Sequence, residues 1–184
     1  MSNLVNLLTL FRLISGPLIL ILIISLHSYG LALVIFVFAT ATDFLDGYLA
    51  RKYNCVTVFG EVLDPIADKI LSMFLILSLA LYFESFYITL LGGVILSREF
   101  WVSALRDLNA RRGNLHATKV SLLSKFKTMT QFLAFTAYLV GIYYNNSLII
   151  FVSDLVLLLA TIITIHTGFL YTIESFKYDQ SLES

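Results

Sequence analysis

Long apolar runs separated by short polar breaks dominate this chain. The breaks fall near residues 28–30, 53–55, 84–85, 111–114 and 145–147. The runs between them are about 20 residues long, which is enough for an α-helix to cross the hydrocarbon core of a bilayer. The pattern therefore predicts an all-α membrane protein with six transmembrane helices. We place these helices at about 5–27, 30–52, 60–83, 86–109, 121–144 and 147–172.

The composition agrees with this interpretation. Of the 184 residues, 59% are hydrophobic and 13% are charged, whereas a soluble domain has about 25% charged residues. We expect a single domain over residues 1–184, because no linker, repeat or low-complexity segment interrupts the chain. Cys55 is the only cysteine, which excludes an intrachain disulfide and a cysteine-based metal site. The net charge of zero argues against a nucleic-acid partner.

The basic residues lie on one side of the predicted topology. No Lys or Arg occurs in 13–50, 70–97 or 128–176, so three alternate connections carry none. Loops rich in Lys and Arg remain on the cytoplasmic side of a membrane. We therefore expect both termini, and the connections near residues 55 and 115, to be cytoplasmic, in a bacterial cytoplasmic membrane.

Four aspartates stand out against this apolar background. Asp43 and Asp46 lie in the last turns of the second predicted helix, and Asp64 and Asp68 lie in the first turns of the third. Spacings of three and four place each pair on one helix face. The short connection makes the two helices antiparallel neighbours, so we expect a cluster of four carboxylates at the cytoplasmic interface. Charged groups in such a setting are functional by default.

A four-carboxylate cluster needs counter-charge, and oxygen ligands select hard divalent cations such as Mg²⁺, Mn²⁺ or Ca²⁺. Two such ions roughly 3.5–4 Å apart are a common arrangement for displacement at phosphorus. Arg51 follows one turn after Gly47 and offers a bidentate donor to a phosphate. The alternative is that the aspartates are solvated helix ends paired with Arg51, Lys52 and Lys69.

The aspartates belong to the pattern D-x2-D-G-x2-A-R-x8-G-x3-D-x3-D, which runs from Asp43 to Asp68. This pattern resembles the signature of the CDP-alcohol phosphatidyltransferase family at every fixed position. The resemblance implies a six-helix membrane fold, usually a homodimer, that binds two divalent cations, Mg²⁺ or Mn²⁺. It also implies transfer of a phosphatidyl group from a CDP-linked lipid to an alcohol, with release of CMP.

The resemblance further implies a role for each residue of the pattern. The implied ligands of the first metal ion are Asp43, Asp46 and Asp64. The implied ligands of the second ion are Asp46, Asp64 and Asp68, and Asp68 also corresponds to the general base. The residues that correspond to positions holding the CDP moiety are Gly47, Ala50, Arg51 and Gly60.

The second half of the chain is expected to bind the alcohol. Four cations, Arg98, Arg106, Lys125 and Lys127, lie near the same predicted interface as the aspartates. An anionic acceptor would need them, whereas inositol or choline would not. The alternative is that they only set topology or bind lipid headgroups.

Three segments resemble the members of the family that form phosphatidylglycerophosphate. They are R-E-x3-S-A-L-R from Arg98, S-K-x-K-T-x2-Q from Ser124, and the run from Asn6 to Arg12. The resemblance implies CDP-diacylglycerol as the donor and the sn-1 hydroxyl of glycerol 3-phosphate as the acceptor. A sister enzyme of the cardiolipin or inositol phosphate type remains an alternative. A cation or proton transporter is a more distant one, since transporters place such acids near the midplane, often with inverted repeats.

Overall fold

The computed structural model describes the backbone of residues 2–53, 58–113 and 122–182 and the side chains of residues 7–42, 63–113 and 126–176. The described backbone forms six α-helices joined by turns. They are α1 (Ser2–Ile24), α2 (Tyr29–Tyr53), α3 (Val58–Phe83), α4 (Phe86–Arg111), α5 (Leu122–Tyr144) and α6 (Ser147–Leu182). The predicted all-α fold is therefore confirmed for these residues.

The helix boundaries agree with the hydrophobic pattern to within three residues at every end except one. α6 was predicted to end at residue 172 but continues to Leu182, ten residues further. No Gly or Pro occurs in 173–182, so nothing in this segment opposes the continuation of the helix once the apolar run has ended.

Four helices of the described chain contain segments long and apolar enough to cross a membrane. These are Leu7–Ile24, Leu63–Phe83, Phe86–Arg111 and Ser147–Phe176, and α2 contributes a shorter apolar stretch, Tyr29–Thr42. Many large apolar side chains on these helices are exposed, such as Phe86 and Leu148. Lipid rather than water is the favourable surrounding for such a surface.

Three helix connections turn through a non-glycine residue with positive φ. His27, Glu84 and Asn145 have φ values of 50°, 47° and 48°. At Asn145 the turn is a Schellman motif, because the Asn146 N–H donates to the Gly141 carbonyl and the Asn145 N–H donates to the Ile142 carbonyl. The Asn146 side chain then accepts hydrogen bonds from the first turn of α6. This connection therefore caps both of the helices that it joins.

The described contacts divide the chain into two compact units. The first unit contains residues 1–89 and 136–150, and in it α1 packs against both α2 and α3. Its fully buried apolar side chains include Ile23, Phe36 and Leu71. The second unit contains residues 90–135 and 151–184. That residues 1–184 act as one domain stays a prediction.

Side-chain hydrogen bonds join α4 to α6 within the second unit. The Trp101 indole donates to Thr172 Oγ1 at 2.9 Å, and the Asn109 amide donates to Ser175 Oγ at 2.8 Å. Between Trp101 and Asn109 on α4, Val102 and Leu105 form a small apolar cluster with Tyr171 of α6. Such interhelical hydrogen bonds are a common means of joining membrane helices, where water does not drive apolar surfaces together.

Candidate active site

Two of the four predicted carboxylates have described side chains, and both bind the same neighbouring helix. Asp64 and Asp68 lie one turn apart on α3. Thr9 Oγ1 donates a hydrogen bond to Asp64 Oδ1 at 2.7 Å, and Arg12 Nη1 donates to Asp68 Oδ1 at 2.8 Å. The first unit thus holds both carboxylates through residues of α1.

The packing of α1 on α3 is close enough to bring these groups together. Gly16 lies one turn after Arg12, and a Cβ atom added at Gly16 would lie 3.3 Å from both the Ile70 carbonyl oxygen and Phe74 Cβ. Thr9 and Arg12 are three residues apart and so share a helix face. Both are fully buried, whereas the Asp68 side chain is 38% exposed. The donors are therefore enclosed by protein, and the carboxylates they bind lie at its edge.

The other half of the predicted cluster is described only as backbone. Asp43, Asp46, Gly47, Ala50 and Arg51 lie in α2, and Gly60 lies in α3. Their side chains lie outside the described residues, so the joint four-carboxylate cluster and the CDP-binding roles stay predictions. Within the described side chains, no group of three or more His, Cys, Asp or Glu is close enough to hold a metal ion.

The described carboxylates are suited to a hard divalent cation. An ionised carboxylate offers about four lone-pair sites, and one donated hydrogen bond uses one of them. Asp64 receives its bond from a neutral hydroxyl, so this partner leaves its negative charge uncompensated. Asp68 receives its bond from a guanidinium. Both therefore fit ligation of Mg²⁺ or Mn²⁺ through oxygen.

The predicted cations lie in the second unit, where two of them share one carboxylate. Lys127 Nζ bonds Glu99 Oε1, and Arg98 Nη1 lies 3.6 Å from the same oxygen. Arg98 also reaches α6, where its Nη2 donates to Thr167 Oγ1 at 2.9 Å. The Arg98 and Lys127 side chains are 9% and 8% exposed. α4, α5 and α6 therefore converge on one buried charged group.

Arg106 extends this group by one further contact. Its guanidinium carbon lies 5.6 Å from the centre of the Tyr171 ring, a cation–π distance. The Nε atoms of Arg98 and Arg106 and the Tyr171 hydroxyl are buried without a hydrogen-bond partner among the described residues. Buried donors are costly when unpaired, and an anion that accepts their hydrogen bonds would remove this cost. The side chain of the fourth predicted cation, Lys125, lies outside the described residues.

The structure thus adds residues that the sequence had not placed in a site. The sequence placed Arg12 on the cytoplasmic side and within the family-like run from Asn6 to Arg12, but assigned it no role in the site; in the structure it is buried against Asp68. Polar residues three apart in the first apolar run, Thr9 and Arg12, were the available signal. The further additions are Glu99, Thr167 and Tyr171. Only Glu99 carried a signal, as an acid beside Arg98; Thr167 and Tyr171 are ordinary residues for a membrane helix.

Comparison with known proteins decides the family. A model of the CDP-alcohol phosphatidyltransferase family matches residues 2–167 of the chain.

The chain belongs to the CDP-alcohol phosphatidyltransferase family.

Bacterial relatives extend this match over the length of the chain. A Rickettsia bellii protein is 40% identical over 180 residues, which cover 96% of this chain and 97% of that protein. A Wigglesworthia glossinidia brevipalpis protein is 42% identical over 72% of this chain and 74% of its own length. An Escherichia coli K12 protein is 38% identical over 72% of this chain and 74% of its own length. All three are named CDP-diacylglycerol–glycerol-3-phosphate 3-phosphatidyltransferase.

These comparisons confirm the predicted family and the prediction of a transferase of phospholipid biosynthesis in a helical membrane protein. They also remove the support for a transporter, since the family that matches the chain is a family of transferases. Members of this family generally use divalent metal ions, which the carboxylate oxygens of Asp64 and Asp68 would suit as ligands.

Proposed function

We propose that this protein transfers the phosphatidyl group of CDP-diacylglycerol to the sn-1 hydroxyl of glycerol 3-phosphate, giving phosphatidylglycerophosphate and CMP. The observation that carries the proposal is that full-length relatives with about 40% identity are named for this reaction. The buried cation group of Arg98, Arg106 and Lys127 supports it independently, because it suits an acceptor that carries a phosphate.

The reaction is a displacement at the phosphatidyl phosphorus. The sn-1 oxygen of the acceptor forms a new bond to this phosphorus, and the bond from phosphorus to the oxygen of CMP breaks. Asp68 accepts the proton that the hydroxyl loses, as a general base. CMP leaves with the electron pair of the broken bond as a phosphate monoester, so no other reactant is needed.

We assign the metal-binding role to the four aspartates of the signature. Asp43, Asp46 and Asp64 would hold one divalent ion, and Asp46, Asp64 and Asp68 would hold a second, with Mg²⁺ or Mn²⁺ as the ions that fit their oxygens. Ions held there would supply positive charge to offset that of the diphosphate and of the leaving CMP. Gly47 and Gly60 would allow the CDP moiety to approach the backbone, beside Ala50 and Arg51.

We assign the phosphate of the acceptor to the cations of the second unit. Arg98 is held in place by Thr167 and Glu99, so its guanidinium is oriented before the acceptor arrives. Arg106 and Lys127 add positive charge, and the buried Nε atoms and Tyr171 hydroxyl add donors that lack partners among the described residues. Lys125 belongs to the same assignment by its place in the sequence. A dianionic phosphate provides both the charge and the acceptor atoms that this group lacks.

The wider assignments follow from the basic residues and from the family. We propose six membrane spans, both termini and the active site on the cytoplasmic face of a bacterial cytoplasmic membrane, and a homodimer built from one catalytic domain per chain. The donor enters from the inner leaflet and glycerol 3-phosphate enters from the cytoplasm.

An assay of CMP release by purified protein tests the reaction. CDP-diacylglycerol is offered with glycerol 3-phosphate, phosphatidylglycerol, inositol phosphate or inositol, with Mg²⁺, with Mn²⁺ or with excess EDTA. We expect release only with glycerol 3-phosphate and a divalent ion. Release with phosphatidylglycerol or inositol phosphate alone would reassign the acceptor, and full activity in EDTA would contradict the metal assignment.

Thiol labelling tests the orientation. Cys55 lies outside the described residues, in the connection predicted to be cytoplasmic. We expect an impermeant thiol reagent to label it in inverted membrane vesicles and not in intact cells. Labelling of intact cells would reverse the orientation.

A further inference from the structure

Helix α1 carries two buried donors that end on predicted metal ligands. Thr9 binds Asp64 and Arg12 binds Asp68, at 2.7 and 2.8 Å. We propose that Thr9 and Arg12 are positioning residues of the active site, with Thr9 orienting Asp64 for the metal ion and Arg12 orienting Asp68 for proton transfer. This inference rests on the proposed function, because it takes the roles of Asp64 and Asp68 from it.

The burial of the donors supports a positioning role. Thr9 and Arg12 are completely buried, with a relative accessibility of 0% for each. Arg12 lies on α1, which packs closely on α3 around Gly16. A donor that cannot move fixes the rotation of the carboxylate that it binds. The described contacts therefore fix one oxygen of each aspartate in an orientation set by another helix.

A second buried hydroxyl on α1 shows that burial alone does not require such a contact. Ser15 is 1% exposed, and its hydroxyl donates to the Phe11 carbonyl of its own helix at 2.7 Å. A Thr or Ser within a helix can satisfy its hydroxyl in this way. Thr9 reaches across to α3, fifty-five residues away in sequence. Ser15 is therefore a matched control for the loss of a buried hydroxyl from α1.

The two donors differ in charge, and the difference separates their effects. Thr9 is neutral, so it orients Asp64 without reducing the negative charge that attracts a cation. Arg12 is positive, so it offsets the charge of Asp68 while it orients the carboxylate. Loss of the Thr9 hydroxyl should weaken metal binding. Loss of the Arg12 guanidinium leaves Asp68 free to rotate, which should lower turnover. It also removes a positive charge that repels a metal ion, so metal binding should change little.

Mn²⁺ binding to the purified full-length protein, without substrates, tests the proposed role of Thr9. The electron paramagnetic resonance signal of Mn²⁺ that remains free in solution measures this binding. Mutation of a residue that hydrogen-bonds to a metal ligand typically lowers metal affinity or activity about 10–100-fold. We expect Thr9→Val, which keeps the shape of the side chain, to raise the dissociation constant about tenfold. Thr9→Ser restores the donor and should bind as the wild type does, as should Ser15→Ala. Wild-type Mn²⁺ affinity in Thr9→Val would overturn the role of Thr9.

Turnover tests the second part. We expect Arg12→Gln to lower kcat about 100-fold, with the Mn²⁺ dissociation constant within a few-fold of the wild type, and Arg12→Lys to recover part of kcat. A loss of Mn²⁺ binding in Arg12→Gln equal to its loss of kcat would overturn the division of roles. Arg12→Lys is the reserve variant if Arg12→Gln does not fold, judged by its thermal unfolding. Mn²⁺ binding needs no acceptor, so a wrong acceptor assignment would leave the result for Thr9 intact.

Discussion

The two charged regions of this protein hold their charges in opposite ways. In the first unit, Asp64 and Asp68 each receive a hydrogen bond from a separate donor on α1. In the second unit, Arg98 and Lys127 share a single oxygen of Glu99, and Arg106 faces an aromatic ring.

The difference indicates what each region is built to bind. Thr9 leaves the charge of Asp64 uncompensated, so the carboxylate region can attract cations. The second region contains three described cations, Arg98, Arg106 and Lys127, and one carboxylate, which leaves an excess of two positive charges. A phosphate monoester carries close to two negative charges at neutral pH. In the proposed function, the carboxylate region would bind the metal ions and the donor, and the cation region would bind the phosphate of the acceptor.

The largest effect is expected in the carboxylate region. Asp68→Asn removes the proton acceptor and keeps the size of the side chain. A positioned general base contributes about 10²–10⁴ in rate, so we expect kcat, measured as CMP release, to fall within this range. Binding of CDP-diacylglycerol should change much less, since Asp43, Asp46 and Asp64 remain.

Asp107→Asn is the control for this change. Asp107 is an exposed acid of α4 that pairs with Arg111 at 2.8 Å, and exposed pairs of this kind contribute little. Its turnover should match the wild type. Turnover of Asp68→Asn close to that of Asp107→Asn would reject Asp68 as the base.

The next effect concerns the cation region and a different kinetic constant. Arg98→Gln removes a charge-assisted hydrogen bond worth roughly 1.5–3 kcal/mol, which corresponds to about tenfold to a hundredfold in affinity. We expect KM for glycerol 3-phosphate to rise by this factor with little change in KM for CDP-diacylglycerol. A selective effect on one substrate also shows that the variant is folded.

Arg111→Gln removes the same charge from the same helix at an exposed position. It should leave both KM values unchanged. Equal behaviour of Arg98→Gln and Arg111→Gln would mean that these cations set membrane orientation, and the acceptor would have to be reassigned.

A smaller effect of the opposite sign is expected for the carboxylate within the cation region. Glu99→Gln removes the negative charge that Arg98 and Lys127 share, so the region should attract anions more strongly. We expect the inhibition constant of inorganic phosphate, competing with glycerol 3-phosphate, to fall about threefold to tenfold, on the scale of one hydrogen bond. Asp107→Asn should leave it unchanged. Weaker inhibition in Glu99→Gln would show that Glu99 mainly orients Lys127.

The sequence alone predicted much of this arrangement. Apolar runs and their breaks predicted six helices. In a membrane the backbone N–H and C=O groups must be hydrogen-bonded within the helix, so each helix corresponds to a continuous apolar segment of the sequence. The aspartates could be identified from the sequence because charged residues are rare in such apolar segments. The end of α6 was wrong because hydrophobicity marks where a helix leaves an apolar environment and not where the helix stops.

The partners of the charged residues could not be predicted in the same way. Arg12 reads as a topology residue until the packing of α1 on α3 brings it to Asp68. The contact of Arg98 with Thr167 joins positions sixty-nine residues apart, and its geometry depends on how α4 packs on α6. Local patterns predict which face a residue occupies, but the partner across the interface is set by tertiary packing.

The smallest effect tests this packing at a residue that carries no charge. A Cβ atom added at Gly168 of α6 would lie 2.8 Å from Arg98 Cγ, closer than real Cβ atoms come, and 3.0 Å from Arg98 Nε, which is also a tight contact. Both atoms lie within the side chain rather than at its end, so Gly168→Ala should push the guanidinium away from Thr167. We expect a few-fold rise in KM for glycerol 3-phosphate, smaller than that of Arg98→Gln. Gly93 of α4 is the matched control, because nothing lies within 4 Å of its added Cβ. Both variants gain about 0.5–1 kcal/mol of helix propensity, so Gly93→Ala should be at least as stable as the wild type with unchanged kinetics. If Gly168→Ala behaves like Gly93→Ala, the position of Arg98 does not govern acceptor binding, and the selectivity would have to come from Lys127 and Arg106.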